Sequence, residues 1–390
     1  MKIKKMLQSI RYSTNPYIMN LVKKPIFYMI FIIRMAKLTR KSRNDHKLIS
    51  QHKELIKDFK KAFYQFSYSC SGYAGIYINA YLNKSVKPVN VLQLDLREND
   101  PILLCTVKDD LAKVKLQVEH HRRIGIKHFV YIDNISKDGT FEWLKGQNDV
   151  SLFTVDEIFS AEAKNAWRRQ ITDLFGYDRW YLVLDSDELF TYPGIETRNI
   201  NRYIDFLEKN KIKSTLSPMI DMYSKGGLFE KDVAINTILE QYCYFDVDTY
   251  YPANYFAGQW INGGPRMRIF SKDERCFPQL SKYALTKFSR DMLIGTHQNY
   301  PYKYNFNTKG AIAFLLHYKF LHDDSKKYKK YVMFDVMSNN SVEYKQYMKA
   351  FEQNSEISFY YEGSQKLNNS MDLMKINIIN KNFFENFLAD

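Results

Sequence analysis

The sequence of 390 residues predicts an α/β fold, in which a mostly parallel central sheet is flanked by helices. Two observations predict this fold. Short, unbroken apolar segments recur between residues 101 and 185, as expected of strands that are buried on both faces. Segments with helical spacing of apolar residues lie between them, and strands that alternate with helices form parallel sheets through right-handed crossovers.

The predicted elements of this central region follow one another regularly. Its strands share a continuous apolar sequence and are expected at Ile102–Val107, Phe129–Ile132, Val150–Val155 and Trp180–Leu184. Its helices are expected at Asp110–Ile124, which Gly125 ends, at Thr140–Lys145 and at 161–175. Beyond residue 190 the alternation is less regular, and strands are predicted at Ser214–Ile220, Arg266–Phe270 and Ala311–Tyr318.

Both ends of the chain predict helices. Residues 44–69 are polar, with apolar positions at helical spacing, and the residues from Ser325 onward, rich in Lys and Tyr, predict mainly helix. Gly72, Gly75 and the Lys87-Pro88 pair predict a looser connection between the N-terminal helix and the central region.

The composition is that of an ordinary globular protein, with 45% hydrophobic and 26% charged residues. The four cysteines lie far apart and form no C-x-x-C pair; they are Cys70, Cys105, Cys243 and Cys276. This spacing does not support a zinc knuckle or a disulfide framework, and it predicts buried free thiols in a reducing compartment.

The positive charge is concentrated near the N-terminus. Residues 1–61 hold 16 Lys and Arg and 3 Asp and Glu, so that +13 of the net charge of +14 lies in this arm. A nucleic-acid-binding protein would instead carry a basic face within its fold, so no nucleic acid is expected as a partner.

An apolar segment, Ile26–Ile33, lies within this basic arm between Lys24 and Arg34. Its 8 residues are too few to cross a bilayer, which takes about 20. An apolar segment flanked by basic residues favours contact with an anionic membrane surface, which predicts a cytoplasmic protein on the inner face of the membrane. The alternative is a helix packed on the protein's own body, with a solvated basic side.

Polar residues follow three of the predicted strands, at the sheet edge where ligands of open α/β sheets gather. They are Lys108-Asp109-Asp110, Asp133-Asn134 and Asp185-Ser186-Asp187-Glu188. Two carboxylates at i and i+2 on extended chain point to the same side, so Asp185 and Asp187 predict a site for a divalent metal, Mn²⁺ or Mg²⁺.

The order of these motifs gives a resemblance to a known family. The segment VKDDLAKVKLQVEHHRRIGIKHFVYIDNISKDGTFEWL, followed by DRWYLVLDSDELFTYPG, resembles bacterial glycosyltransferases related to family 2, which have the GT-A fold. The match covers residues 101–195 and continues more loosely through IDMYSKGG, GGPRMRIF, KYALTKF, GTH and LLHYKF.

The resemblance implies a domain organisation and a function. Residues 91–325 would form a GT-A-like catalytic domain, with a nucleotide-binding half at 101–190 and an acceptor half at 191–325. Residues 1–90 would be a basic arm and 326–390 a helical extension. The protein would transfer a sugar from a nucleotide-sugar donor, with UDP favoured, to a cell-surface glycan or a lipid-linked acceptor.

The resemblance also implies roles for individual residues. Asp133 would contact the base or ribose of the donor, and Lys108 would lie near the base. Asp185 and Asp187 would be the DxD motif that binds the donor ribose and the metal, and His317 would complete the metal site. The alternatives are that His317 is a core histidine, or that His297 has this role instead.

Two basic residues add a prediction from the sequence itself. Arg266 and Arg268 stand at i and i+2 after Gly263-Gly264-Pro265, so that on a strand both guanidiniums would point to one side. Paired guanidiniums bind phosphate groups well, either on the donor or on the acceptor. The alternative is a pair of ion pairs with the acidic residues.

The sequence departs from the family where the catalytic base is concerned. Many family 2 enzymes carry an acidic E-D pair after DxD, and this chain has none there. An inverting transfer needs a carboxylate close to the acceptor hydroxyl. Asp221 is the expected base and Glu188 the second candidate, while the alternative for Asp221 is a cap of the following loop.

Two other classes of protein stay open. A sugar-nucleotide pyrophosphorylase would share the sheet but carry a Gly- and Arg-rich phosphate loop where Lys108-Asp109-Asp110 stands. A non-catalytic binding protein would not need a metal site. P-loop and dinucleotide-binding motifs are not found in the sequence.

Overall fold

The computed structural model describes residues 60–67, 69, 74–93, 95–229, 237–255, 257–270, 278–321, 324–334, 341–354 and 356–390, together with Met29. The predicted membrane-contacting segment Ile26–Ile33 lies outside these residues apart from Met29. Of the predicted helix 44–69, residues 60–67 and 69 are described and helical. Among the described residues, none of the helices has the length and apolar character needed to cross a membrane.

The strands of the described residues are numbered in chain order. They are β1 (Lys87–Asn90), β2 (Ile102–Val107), β3 (His128–Asp133), β4 (Val150–Thr154), β5 (Arg179–Leu184), β6 (Glu188–Thr191), β7 (Ser217–Asp221), β8 (Tyr244–Phe245), β9 (Tyr250–Tyr255), β10 (Gly258–Gly263), β11 (Ser281–Lys282), β12 (Leu285–Phe288), β13 (Leu293–Ile294), β14 (Asn299–Tyr300), β15 (Phe314–His317) and β16 (Gln365–Lys366).

The helices are numbered in the same way. They are α1 (Ala74–Leu82), α2 (Leu111–Arg123), α3 (Thr140–Lys145), α4 (Ala161–Phe175), α5 (Ile200–Lys209), α6 (Ile238–Gln241), α7 (Gly264–Phe270), α8 (Lys303–Phe306), α9 (Asp324–Phe334), α10 (Val342–Gln353) and α11 (Lys381–Ala389), with a 3₁₀ helix at Ser370–Lys375.

The larger sheet has six strands in the order β1-β4-β3-β2-β5-β12. Its four central strands are parallel, and the edge strands β1 and β12 are antiparallel to their neighbours. The fold is therefore mixed α/β with a parallel centre, and the finer GT-A arrangement stays a prediction.

Helices cover both faces of this sheet, which explains why its strands are apolar throughout. Along β2, Leu103 and Cys105 belong to a core shared with α2 and α3, whereas Ile102 and Leu104 belong to a core shared with α1 and α4.

Cys105 and Cys243 are free and buried, as predicted. Local signals fix the helix ends: the Ser160 hydroxyl accepts a hydrogen bond from the N–H of Ala163 at 3.0 Å at the start of α4.

The second sheet has four strands in the order β11-β7-β15-β6. Strand β15 lies in the middle, antiparallel to β6 and parallel to β7. In this register His317 lies opposite Glu188 on one side and opposite Asp221 on the other. The second sheet therefore brings three distant segments of the chain to one place.

Two predictions of local structure are wrong. The segment Arg266–Phe270 is helical, as part of α7, because Gly263 and Gly264 have φ of 108° and 69° and turn the chain at the end of β10. The expected loose connection around Gly75 is part of α1, whose residues Tyr77 and Ile78 are buried in the core shared with α4. Short apolar segments do not distinguish strand from helix by periodicity alone.

Candidate functional site

The segment between β5 and β6 is a tight turn. The N–H of Glu188 donates to the carbonyl oxygen of Asp185 at 3.2 Å. The prediction of extended chain with both carboxylates on one side is therefore wrong: Asp185 and Asp187 contact different partners.

Asp187 faces His317, which lies between two carboxylates. The Nε2 atom of His317 is 3.3 Å from Asp187 Oδ2, and its Nδ1 atom is 2.6 Å from Asp221 Oδ1. His317 and Asp221 are both buried. Burial alone would lower the pKa of His317, but Asp187 and Asp221 raise it above its ordinary value. The two carboxylates therefore favour the protonated form of the imidazole.

The donor atoms of three side chains are close enough to share a metal ion. One ligand atom each from Asp187, Glu188 and His317 lies within 4.8 Å of the other two. A metal-binding histidine usually donates its second ring N–H to a carboxylate, and Asp221 supplies that carboxylate here. Two carboxylates and an imidazole fit a transition-metal ion such as Mn²⁺. Of the predicted ligands, Asp187 and His317 belong to this group, and Glu188 takes the place of Asp185.

Asp185 is surrounded by cations. Its Oδ1 atom accepts from Lys164 Nζ at 3.0 Å and from Arg168 at 2.9 Å, and its Oδ2 atom accepts from Lys282 Nζ at 2.7 Å. Lys282 also pairs with Glu188. Burial would raise the pKa of Asp185, but the neighbouring lysines and arginine hold it well below its usual range.

The sequence analysis did not predict these three cations. Lys164 and Arg168 stand at i and i+4 on the predicted helix before the DxD turn, a spacing that places both on one helix face. That spacing is a signal for the pair. Lys282 comes from β11, and its approach to Asp185 follows only from the tertiary structure.

The two arginines of α7 point to different partners, because positions i and i+2 of a helix do not face the same way. Arg266 Nε donates to Asp221 Oδ2 at 2.7 Å, and its NH1 atom donates to Glu343 at 2.9 Å. Arg268 pairs with Asp246, with both distances at 3.1 Å. The prediction of paired guanidiniums on one side is therefore wrong. Both arginines form ion pairs, as in the alternative, but their partners lie outside the acidic segments at the ends of β2, β3 and β5.

Asp133 lies buried at the end of β3. Its Oδ1 atom accepts from the N–H of Ser136 at 2.9 Å, while its Oδ2 atom has no hydrogen-bond partner among the described residues. Burial raises the pKa of Asp133. Lys108, predicted near the base of the donor, is exposed. A buried carboxylate oxygen without a partner is a strong acceptor for a ligand N–H or O–H group.

His297, the alternative to His317, lies outside the metal-compatible group of the described residues. Its Nδ1 atom is 3.1 Å from the carbonyl oxygen of Ser281. Because a carbonyl only accepts, Nδ1 carries the proton. Burial, reinforced by Lys282, lowers the pKa of His297 to about 4, so this ring is neutral near pH 7.

No protein-family model and no curated protein matches the chain. Among solved structures, it is similar to the mannosyltransferase PcManGT from Pyrobaculum calidifontis in complex with GDP-Man and Mn²⁺, at 14% identity and a TM-score of 0.23, over 43% of this chain and 47% of that one. It is also similar to an apo UDP-glucose pyrophosphorylase, at 9% identity and a TM-score of 0.22, over 59% of this chain and 98% of that one. The chain thus spans less than half the length of the mannosyltransferase. Both proteins are nucleotide-sugar enzymes by name.

Proposed function

We propose that this chain is a metal-dependent glycosyltransferase of the GT-A type, which transfers a sugar from a nucleotide-sugar donor, with UDP favoured. The observation that carries the proposal is the unit Asp187–His317–Asp221 beside Glu188, in which Asp187 is half-buried and the other residues are buried. The unit lies at the edge of the sheet where ligands gather. A cell-surface glycan or a lipid-linked sugar is the proposed acceptor, and inversion the proposed stereochemical outcome.

Each residue of this unit has a distinct task in the proposal. Asp187, Glu188 and His317 would hold a divalent cation, which neutralises the departing diphosphate. Asp221 fixes the ring of His317 with Nδ1–H toward its carboxylate. Lys282 and the N–H of Asp185 hold the carboxylate of Glu188 in place.

The donor's nucleoside is proposed to bind at the end of β3. The unpartnered Oδ2 atom of Asp133 would accept from the base or the ribose, and Lys108 would lie near the base. Asp185, predicted for the ribose and the metal, is held by three cations in this state of the chain. A phosphate contact by Arg266 or Arg268 would require either residue to leave its ion pair.

The role of Asp221 as the catalytic base stays a prediction. Its contacts favour a different role, in which its carboxylate orients the ring of His317. Both of its carboxylate oxygens accept hydrogen bonds, from His317 and from Arg266. Burial would raise the pKa of Asp221, but Arg266 and His317 hold it below its ordinary value. A carboxylate with a lowered pKa and two occupied oxygens is a weak proton acceptor.

Replacing Asp221 by asparagine separates the two roles. If Asp221 orients His317, the affinity for Mn²⁺ falls by about 10- to 100-fold, and saturating Mn²⁺ restores most of the turnover. The measurements are Mn²⁺ titration and donor turnover of Asp221→Asn at low and high Mn²⁺. Unchanged Mn²⁺ affinity with turnover lost at every Mn²⁺ concentration would contradict orientation and support the base.

The proposed function is tested by incubating the full chain with UDP- and GDP-sugars, with Mn²⁺ or with EDTA. We expect release of the nucleoside diphosphate and free sugar only with Mn²⁺. Glycosyltransferases slowly transfer the sugar of their donor to water when no acceptor is present. A pyrophosphorylase would instead form the nucleoside triphosphate and a sugar 1-phosphate when pyrophosphate is added. If no donor is consumed, either with Mn²⁺ or with added pyrophosphate, the result would favour a non-catalytic binding protein.

We further propose that the basic arm before the described domain binds an anionic membrane surface. Deleting residues 1–43 is expected to reduce co-sedimentation with vesicles that contain anionic lipids, while donor hydrolysis is retained. Exposed charges are screened over about 8–10 Å at 0.1–0.15 M salt, so added salt is expected to weaken binding of the full chain in the same assay. Equal sedimentation of both forms would show that the arm is not the anchor.

A further inference from the structure

Three buried cations meet at one carboxylate in this structure. Lys164, Arg168 and Lys282 are 6%, 2% and 5% exposed, and all three contact Asp185 within 3.0 Å. Lys164 and Arg168 come from α4 and Lys282 from β11, so the helix and the second sheet supply them separately. Such convergence is unusual for a purely structural ion pair, because each buried cation carries a desolvation cost of several kcal/mol.

The charges of this group do not balance. Among the described residues, the carboxylates in direct contact with the three cations are Asp185 and Glu188, so the cations exceed these carboxylates by one charge. The Nε atom of Arg168 is also buried without a hydrogen-bond partner among the described residues. A buried donor and an excess buried charge both favour one further anion at this place.

A cavity adjoins the group. Arg168 and Lys282 line it together with Thr296 and Gln298, whose side-chain oxygens are buried and unpartnered in the described part of the chain. Arg168 and Lys282 therefore border a small, water-sized space, whose lining also includes the apolar residues Val183, Phe288 and Ile294. The hydroxyl of Thr296 is able to donate a hydrogen bond to a ligand oxygen, whereas Oε1 of Gln298 only accepts.

We propose that Lys164, Arg168 and Lys282 form a binding site for the diphosphate of the donor, and that Asp185 fills this site as an internal anion when no donor is bound. The inference rests on the proposed function for the identity of the anion. A diphosphate carries more charge and more oxygen atoms than one carboxylate, so it can displace Asp185 from the cations. Asp185, which lies two residues before Asp187, is then released from the three cations.

The competition between Asp185 and the anion gives opposite signs for two variants. In EDTA, Lys164→Met is expected to weaken the binding of inorganic pyrophosphate by about 10-fold, since one charge-assisted hydrogen bond is lost. Asp185→Asn is expected to strengthen it by a similar factor, because the internal competitor is neutral. Lys164 is chosen because Lys282 also holds Glu188.

The experiment is isothermal titration of the full chain with pyrophosphate, without metal. Lys287→Met is the matched control: Lys287 is also a largely buried lysine, 2.7 Å from Glu208, toward the opposite end of β5. The control is expected to bind pyrophosphate as the wild type does. Circular dichroism verifies the fold, and Lys164→Gln and Asp185→Ser replace a variant that fails to fold.

Two results would overturn the proposal: a Lys164 variant that binds like the control, or an Asp185 variant with unchanged or weaker binding. A second titration compares UDP with glucose 1-phosphate; tighter binding of UDP supports the donor, and the reverse order overturns that assignment. If pyrophosphate behaves as expected but no nucleotide-sugar is consumed, the glycosyltransferase proposal fails and the anion site stands. Mn²⁺-dependent turnover with unchanged pyrophosphate binding in both variants would refute the anion site and leave the glycosyltransferase proposal standing.

Discussion

Replacing Asp187 by alanine is expected to abolish metal-dependent turnover while leaving the fold intact. Asp187 is the one carboxylate of the turn that faces Nε2 of His317, at 3.3 Å. Loss of even an outer partner of a metal ligand costs about 10- to 100-fold in metal affinity or activity, so loss of a ligand is expected to cost more than about 100-fold. The measurements are Mn²⁺ titration and donor hydrolysis at saturating donor.

A control for this experiment is Asp205→Ala, which removes an exposed carboxylate of α5 that lies outside the proposed metal group. This variant is expected to bind Mn²⁺ as the wild type does. Unfolding curves of both variants verify that the fold is retained. Wild-type Mn²⁺ affinity in Asp187→Ala would place the metal elsewhere and refute the proposed ligand group.

Replacing Asp324 by alanine is expected to lower the free energy of unfolding by about 3–5 kcal/mol, because it leaves the buried cation of Lys113 without its partner. Both carboxylate oxygens of Asp324, at the start of α9, accept from Lys113 Nζ at 2.8 Å. The side chains of Lys113 and Asp324 are 6% and 4% exposed. Urea denaturation followed by circular dichroism measures the loss.

The double variant Lys113→Met with Asp324→Leu separates the unpaired charge from the contacts of the α9 terminus. Apolar residues of similar volume often replace a buried ion pair without loss, so the double variant is expected to recover most of the stability. A double variant as unstable as Asp324→Ala would show that other contacts of Asp324, such as the N–H of Leu321 at 2.9 Å, cause the loss.

The sequence alone predicted the strands and helices at the centre of the larger sheet. The predicted strand Ile102–Val107 and the predicted helices Thr140–Lys145 and 161–175 have the same bounds in the structure. These segments combine a clear apolar pattern with local end signals such as Ser160 and Gly146. The segment Arg266–Phe270 lacks such a pattern, and two glycines with positive φ decide its helical course.

The candidate site was less predictable than the sheet. Asp187 was predicted from its place after a buried strand and His317 from the resemblance, and the register of β15 brings the two together. The turn at Asp185 could not, because the cations that hold it include Lys282, 97 residues away. Ion pairs of this kind depend on which elements pack together, and a local pattern contains no information on that.

The order of strands in the second sheet has a consequence for synthesis of the protein. Its central strand, β15, comes last in the chain, and His317 meets Asp221 across a separation of 96 residues. Until β15 has left the ribosome, β6 and β7 have no partner between them, and unpaired strand edges promote association with other chains. A chain that ends between residues 282 and 314 would therefore contain Asp185, Asp187 and Asp221 but not His317. The edges of β6 and β7 that β15 covers would be open and prone to aggregation.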